Sequence, residues 1–161
     1  MGTGKRFVLR AAGGLLPVGM RTSLLRSLCG DLRNELDTKL TDGFLEALLG
    51  ALDIAFALDS DYRRNIEGFG AVFAFRTKDS HVGATAIFQD GNMNVEREAR
   101  SRFDTRLTFK DADGLRRSLL AGDKDILNTM LTNPVDSEGN LSYLYRFGFL
   151  AKELTLRLGM A

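Results

Sequence analysis

Apolar residues follow one period in the first half of the chain and another after it. From Asp42 to Asp59, Phe44, Leu48, Leu52 and Ala55 recur at helical spacing, and the other faces are apolar too, apart from Glu46 and Asp53. A helix apolar nearly all round is a buried one. It is too short to span a bilayer, which takes about 20 apolar residues, and it contains two acids. At Gly70 the period falls to two: Ala71, Phe73 and Phe75 alternate with Val72, Ala74 and Arg76, which predicts a strand. Lys78-Asp79-Ser80 is turn chemistry, and a second strand runs from His81 to Gln89. Asp90-Gly91 is a strong hairpin signal, because both positions tolerate positive φ. A third strand, Asn92 to Arg97, follows. The charged stretch from Glu96 to Arg102 reads as an exposed connection, after which Phe103, Thr105, Leu107 and Phe109 alternate with polar residues in a fourth strand.

Asp111 is a good N-cap for a helix whose stripe is Leu115, Leu119 and Leu120 and whose end is Gly122. A second short helix after Asp123 turns Ile126, Leu127, Met130 and Leu131 inward and stops before Asn133-Pro134. The C-terminal segment carries two patterns. Leu141, Tyr143, Tyr145, Phe147 and Phe149 alternate like a strand, whereas Tyr143, Phe147, Leu150, Leu154 and Leu158 recur like a helix. The helical pattern extends further and has Asn140 as a cap, so Thr132 to Glu138 is assigned as a fifth strand and Asn140 onward as a closing helix.

Composition adds limits. A chain of 161 residues, 44% of them hydrophobic, is long enough for one domain with its own core. Basic and acidic residues nearly balance, 22 against 21, so no global field concentrates a polyanion and nucleic acid is disfavoured as a partner. The charge is uneven, however. Residues 1–33 hold six basic residues and one acid, a surplus of +5, and the remainder holds sixteen basic against twenty acidic residues, −4. Arg10 and Pro17 interrupt the apolar run Phe7 to Met20, and no small-residue cleavage site follows, which argues against a signal peptide. Three readings of this segment stand: a short helix covering the domain, a surface that touches anionic lipid, or a terminus without order.

Candidate chemistry is sparse. His81 is the single histidine and sits at a turn, with nothing beside it to complete a zinc site. Cys29, the single cysteine, lies among Leu25, Leu28 and Leu32 and reads as a small buried hydrophobe in a reducing, cytoplasmic setting. Asp111-Ala-Asp113-Gly opens like a calcium loop but lacks the third acidic ligand and has Gly122 at the twelfth position, so the cap reading holds. Gly2-Thr-Gly-Lys lacks the spacing of a phosphate loop. No metal, cofactor or catalytic residue is expected. Eleven phenylalanines and five methionines remain, and they either fill a core or line a space.

The order of elements adds a further reading. From about Asp31 to Leu158 the chain resembles the sterol carrier protein type 2 family. The resemblance rests on the meander with Ile87 to Val95 (IFQDGNMNV), on the run from Asp104 to Asp125 in which a strand feeds a capped helix and a Gly122-Asp123 step, and on Val135 to Gly139 before a last helix. Pro134 departs from the pattern and is tolerated only at an edge or a strand start. The resemblance implies an α+β fold, a mainly antiparallel five-stranded sheet with helices packed on one face, enclosing an apolar tunnel. It implies a lipid-binding domain over residues 31–161, which leaves residues 1–30, with their basic surplus, as an amphipathic leader. It also implies a non-catalytic carrier of sterol, fatty acyl or isoprenoid lipid. The basic leader fits bacterial relatives in which such a domain accompanies partner enzymes of isoprenoid-quinone synthesis; the lone thiol gives the cytoplasm as the expected compartment, and the charge of residues 1–33 makes them a candidate contact with the anionic inner membrane. The residues expected to line the tunnel are Phe44, Leu48, Leu52, Phe56, Phe73, Phe75, Leu107, Leu119, Met130, Phe147 and Leu150. Two other classes of function stand beside the carrier: a protein-interaction module with a collapsed tunnel, and an enzyme of unrecognised type.

Overall fold

Leucine and alanine dominate Thr41–Leu58, and in the computed structural model this stretch is one helix, α1. The structure describes residues 41–120 and 135–157, with isolated positions between 17 and 30. Phe44, Leu45, Leu48, Leu49, Leu52 and Phe56 are all buried, so α1 is enclosed on several sides, as its pattern predicts. The helix stops because Asp59 leaves helical geometry and its carboxylate accepts the amides of Asp61 and Tyr62, capping the short helix α2, Ser60–Arg63. A 3-10 turn, Arg64–Ile66, follows. Together these turns put Tyr62 and Ile66 into the core.

The sheet is built from β1 Ala71–Thr77, β2 Gly83–Gln89, β3 Asn92–Glu96, β4 Thr105–Phe109 and β5 Val135–Gly139, in the order β3-β2-β1-β4-β5. Asp90 and Gly91 both take positive φ, 54° and 69°, as the hairpin signal requires. Three of the four pairings are antiparallel, but β1 and β4 at the centre run parallel, so the sheet is mixed. A parallel neighbour needs a crossover. Residues 97–104 supply it as a strap from the β3 edge to β4 across the side of the sheet opposite the helices. Fully buried Thr85 holds the strap: its hydroxyl donates to the Glu98 carbonyl at 2.6 Å and accepts the Arg100 amide at 2.9 Å. At the far end of the strap the Asp104 amide donates to the Val72 carbonyl at 2.9 Å, and the Asp104 carboxylate accepts the Val72 amide at 2.7 Å.

Helix α3, Ala112–Leu120, starts where the Asp111 carboxylate accepts the Gly114 amide at 2.7 Å. The C-terminal helix is α4, Leu141–Arg157, with the Asn140 side chain accepting the Ser142 amide. That resolves the ambiguous segment in favour of the helix. Before it, Gly139 has a φ of +96°, and a Cβ there would stand 2.0 Å from the Asp104 carbonyl oxygen, so only glycine fits. The expected short helix after Asp123, its residue Met130, Pro134, Cys29 and nearly all of the leader lie outside the described residues. β5 begins one residue after Pro134 and is an edge strand.

Candidate ligand-binding core

Strand alternation sends Ala71, Phe73, Phe75 and Thr77 of β1 to the helical side of the sheet. In register with them are Ala84, Ala86 and Phe88 of β2, then Leu107 and Phe109 of β4. The small side chains of β2 leave room for α1, which lies over β3 and β2, while α4 lies over the phenylalanines of β1. Phe147 of α4 sits 5.3 Å from Phe73 and 4.9 Å from Phe75, centroid to centroid, and Phe88 meets Phe73 edge-on at 5.7 Å.

Of the eleven residues predicted to line a tunnel, nine have described side chains, and all nine join this one cluster: Phe44, Leu48, Leu52 and Phe56 from α1, Phe73 and Phe75 from β1, Leu107 from β4, Phe147 and Leu150 from α4. Each is 2% exposed or less. The side chain of Leu119 and the whole of Met130 lie outside the described residues. The nine are thus brought together, and an open tunnel between them is not among the features seen. Among the cavities bounded by described residues are the following three, and Phe56 borders one of these. One, of about 230 Å³, opens beside the start of α1. It has Leu45, Val82, Ala84 and Val95 as apolar wall and His81 and the Glu46–Arg97 ion pair, 2.7 Å, at its rim. A second, of about 120 Å³, lies between Phe56, Arg63 and Met93. The third, about 280 Å³, is polar and lies on the strap side, among Arg76, Lys78, Thr108 and Asp136.

Periodicity missed an aromatic layer contributed by the turns after α1. Tyr62 stacks on Phe56 at 4.5 Å, and Phe69 contacts Phe73, Phe88 and Tyr143. The Tyr62 hydroxyl donates to the Leu150 carbonyl. Burial is the main force raising the pKa of this phenol far above its ordinary value of 10.0, with the nearby Arg157 acting in the other direction. The available signal was Asp59-Ser-Asp61, an N-cap followed by an acidic first turn. Among polar groups on the surface, Asp79 is held below its usual range by hydrogen bonds from the Thr77 hydroxyl and the His81 amide. Glu96 is held low by a two-pronged contact with Arg100. Both perturbations come from local structure. Among the described residues no group of three or more His, Cys, Asp or Glu assembles as a metal site, and no helix is long and apolar enough to cross a membrane.

No protein-family model matches the sequence, and no curated protein does. Among solved structures, the chain is similar to the UbiJ-SCP2 ubiquinone synthesis protein, at 18% identity and a TM-score of 0.50, over 74% of this chain and 98% of that one. It also matches, at a TM-score of 0.46 and 13% identity, a conserved hypothetical protein of Thermus thermophilus described as a possible sterol carrier protein, over 71% of this chain and 85% of that one. A third match, the inverting sec-alkylsulfatase Pisa1 from Pseudomonas sp., has a TM-score of 0.45 and 17% identity, and covers 61% of this chain and 16% of the sulfatase. The resemblance to the sterol carrier protein type 2 family is therefore matched at the level of fold.

Proposed function

We propose that the chain is a non-catalytic carrier that holds an apolar lipid-like molecule between α1 and the helical side of the sheet. The observation that carries this reading is the make-up of that space. Side chains from α1, β1, β4 and α4 converge there, nearly all apolar, over a strip of β2 on which Ala84 and Ala86 are small and Phe88 meets Phe56 of the helix edge-on. Such a lining selects a ligand by length and width, having few hydrogen bonds with which to discriminate. Support for the ligand class comes from the UbiJ-SCP2 neighbour, a ubiquinone synthesis protein. A membrane-soluble isoprenoid precursor, presented to partner enzymes, fits both the lining and that neighbour. The two-part division goes with it: residues 31–161 carry the ligand, and the basic leader, within residues 1–33, brings the domain to an anionic membrane surface.

Bulk added to the space tests the carrier. Ala55 is buried on α1, and Ala55→Phe is expected to abolish lipid binding with the melting temperature unchanged; pure destabilisation would speak for a solid core. Close contacts such as Phe75 with Phe147 favour the second reading, an interaction module whose core is already filled. Liposome flotation tests the leader. Each Lys or Arg near an anionic surface contributes about 1 kcal/mol, so attachment is expected to be weak, to require anionic lipid and to fade with salt. Equal flotation on neutral and anionic vesicles, or no change on deleting residues 1–30, would remove the membrane role.

A further inference from the structure

On the strap side of the sheet, charged residues lie in rows across β1, β4 and β5, and two neighbouring rows are satisfied differently. In one, Arg106 of β4 is in register with Glu138 of β5 and forks onto its carboxylate at 3.2 and 2.5 Å. In the next, Arg76 of β1, Thr108 of β4 and Asp136 of β5 are in register. Here a threonine separates the arginine from the acid, and the acid is already held by Lys78, 3.0 Å away. The Arg76 Nε donates to the Thr108 hydroxyl at 3.1 Å, and among the described residues its other nitrogens meet no carboxylate. Arg76 is half-buried and Thr108 is 6% exposed. Both line the polar cavity of about 280 Å³, together with Lys78, Ser80 and Asp136.

We propose that this cavity binds a phosphoryl group, carried by a phosphate monoester or by free phosphate. The site is independent of the carrier reading, because it lies on the side of the sheet that the helices leave open. Its wall is rich in donors and poor in acceptors. A guanidinium has five N–H donors, and Arg76 spends one on Thr108. Because that hydroxyl accepts from Arg76, its own proton remains for a ligand. The Lys78 ammonium has three N–H groups, one of them engaged by Asp136, and Ser80 adds a hydroxyl at the rim. Asp136 is the one carboxylate in the wall, against two cations. A half-buried guanidinium without a counter-ion favours an anion, and its planar fork matches two oxygens of a phosphate. A carboxylate ligand would satisfy only the fork, as Glu138 does for Arg106. A tetrahedral phosphoryl group has a third oxygen for the Thr108 hydroxyl and the Lys78 ammonium. The sheet register and the bond to Thr108 hold Arg76 in place beforehand, which lowers the ordering cost of binding.

Titration of the full chain with glycerol 3-phosphate, against chloride at matched ionic strength, tests the site by nuclear magnetic resonance. Saturable shifts are expected at the amides of Lys78, Ser80 and Thr108. Arg76→Gln keeps a donor for Thr108 but loses the fork, and is expected to weaken binding about tenfold. Asp136→Asn removes the one opposing charge and releases Lys78, and is expected to tighten binding about threefold. Asp136 is 62% exposed, so this variant keeps the fold and decides the matter even if Arg76→Gln melts early. Glu67→Gln, the same charge change on an exposed residue ahead of β1, should leave affinity within about twofold. Neutral vesicles doped with phosphatidic acid present the same monoester on a membrane. Retention that glycerol 3-phosphate displaces and Arg76→Gln abolishes assigns the site to a lipid headgroup; binding of the soluble ester alone assigns it to a free phosphate compound. Shifts that never saturate, or an equal gain from Asp136→Asn and Glu67→Gln, would overturn the proposal and leave only unspecific attraction.

Discussion

The two sides of the sheet are held in different ways. The helical side is an aromatic and aliphatic mass in which each contact is weak and non-directional. Phe73 alone meets Phe69, Phe75, Phe88, Tyr143 and Phe147. The strap side is polar and directional: Thr85 grips residues 98 and 100, Arg106 forks onto Glu138, and Arg100 forks onto Glu96. Non-directional packing tolerates a change of occupant of similar volume, whereas a hydrogen-bonded strap admits one geometry. The sheet thus has a fixed face, which sets its topology, and an adaptable face, the one to which the proposed function assigns an apolar guest.

Mutation is expected to separate the faces by size of effect. Phe73→Ala removes a fully buried ring at the centre of the adaptable face and should cost about 3–5 kcal/mol in denaturant unfolding. Added apolar ligand should offset part of that loss, and an indifferent variant would argue against an adaptable interior. Gly139→Ala, at the junction of β5 and α4, should cost about 3 kcal/mol by strain and overlap, with no recovery on adding ligand. Thr85→Val leaves the strap's Glu98 carbonyl and Arg100 amide without their partner and should cost about 1–3 kcal/mol. Its lipid binding should be unchanged, and a loss there would erase the distinction between the faces.

Smaller effects refine the same contrast. The Tyr62 hydroxyl ties the aromatic layer to the α4 backbone, and Tyr62→Phe should cost about 1 kcal/mol. Its phenol is held protonated in the folded state above the unfolded value of 10.0. The stabilising contribution is therefore complete below pH 10 and declines as the unfolded state ionises above it. Unfolding curves of the Tyr62→Phe variant should lack this alkaline loss. Arg100→Ala touches an exposed ion pair and should change stability by less than about 1 kcal/mol.

The sequence made one face far more legible than the other. Most helical-side positions are apolar at a regular spacing, Thr77 and Thr105 excepted, so α1, the phenylalanines of β1 and the inner stripe of α4 could be read directly. The turns at Asp90-Gly91 and at Gly139-Asn140 were legible because few residues adopt their geometry. The strap was not: residues 97–102 are charged or small, their only visible property is solubility, and what fixes them is Thr85, on a strand 13 to 15 residues earlier. The parallel β1–β4 pairing was hidden for the same reason, since it depends on that crossover. Tyr62 and Phe69 were missed because they sit in turns without periodicity. For the site, hydrophobic spacing identified residues that converge, but whether they enclose space depends on the fit of their volumes, which no spacing encodes.

Native mass spectrometry of the chain purified without detergent tests the central claim most directly. The account predicts a population heavier by one acyl or isoprenoid molecule, absent from Ala55→Phe at an unchanged melting temperature. A bare chain mass throughout, even after incubation with lipid, would contradict it.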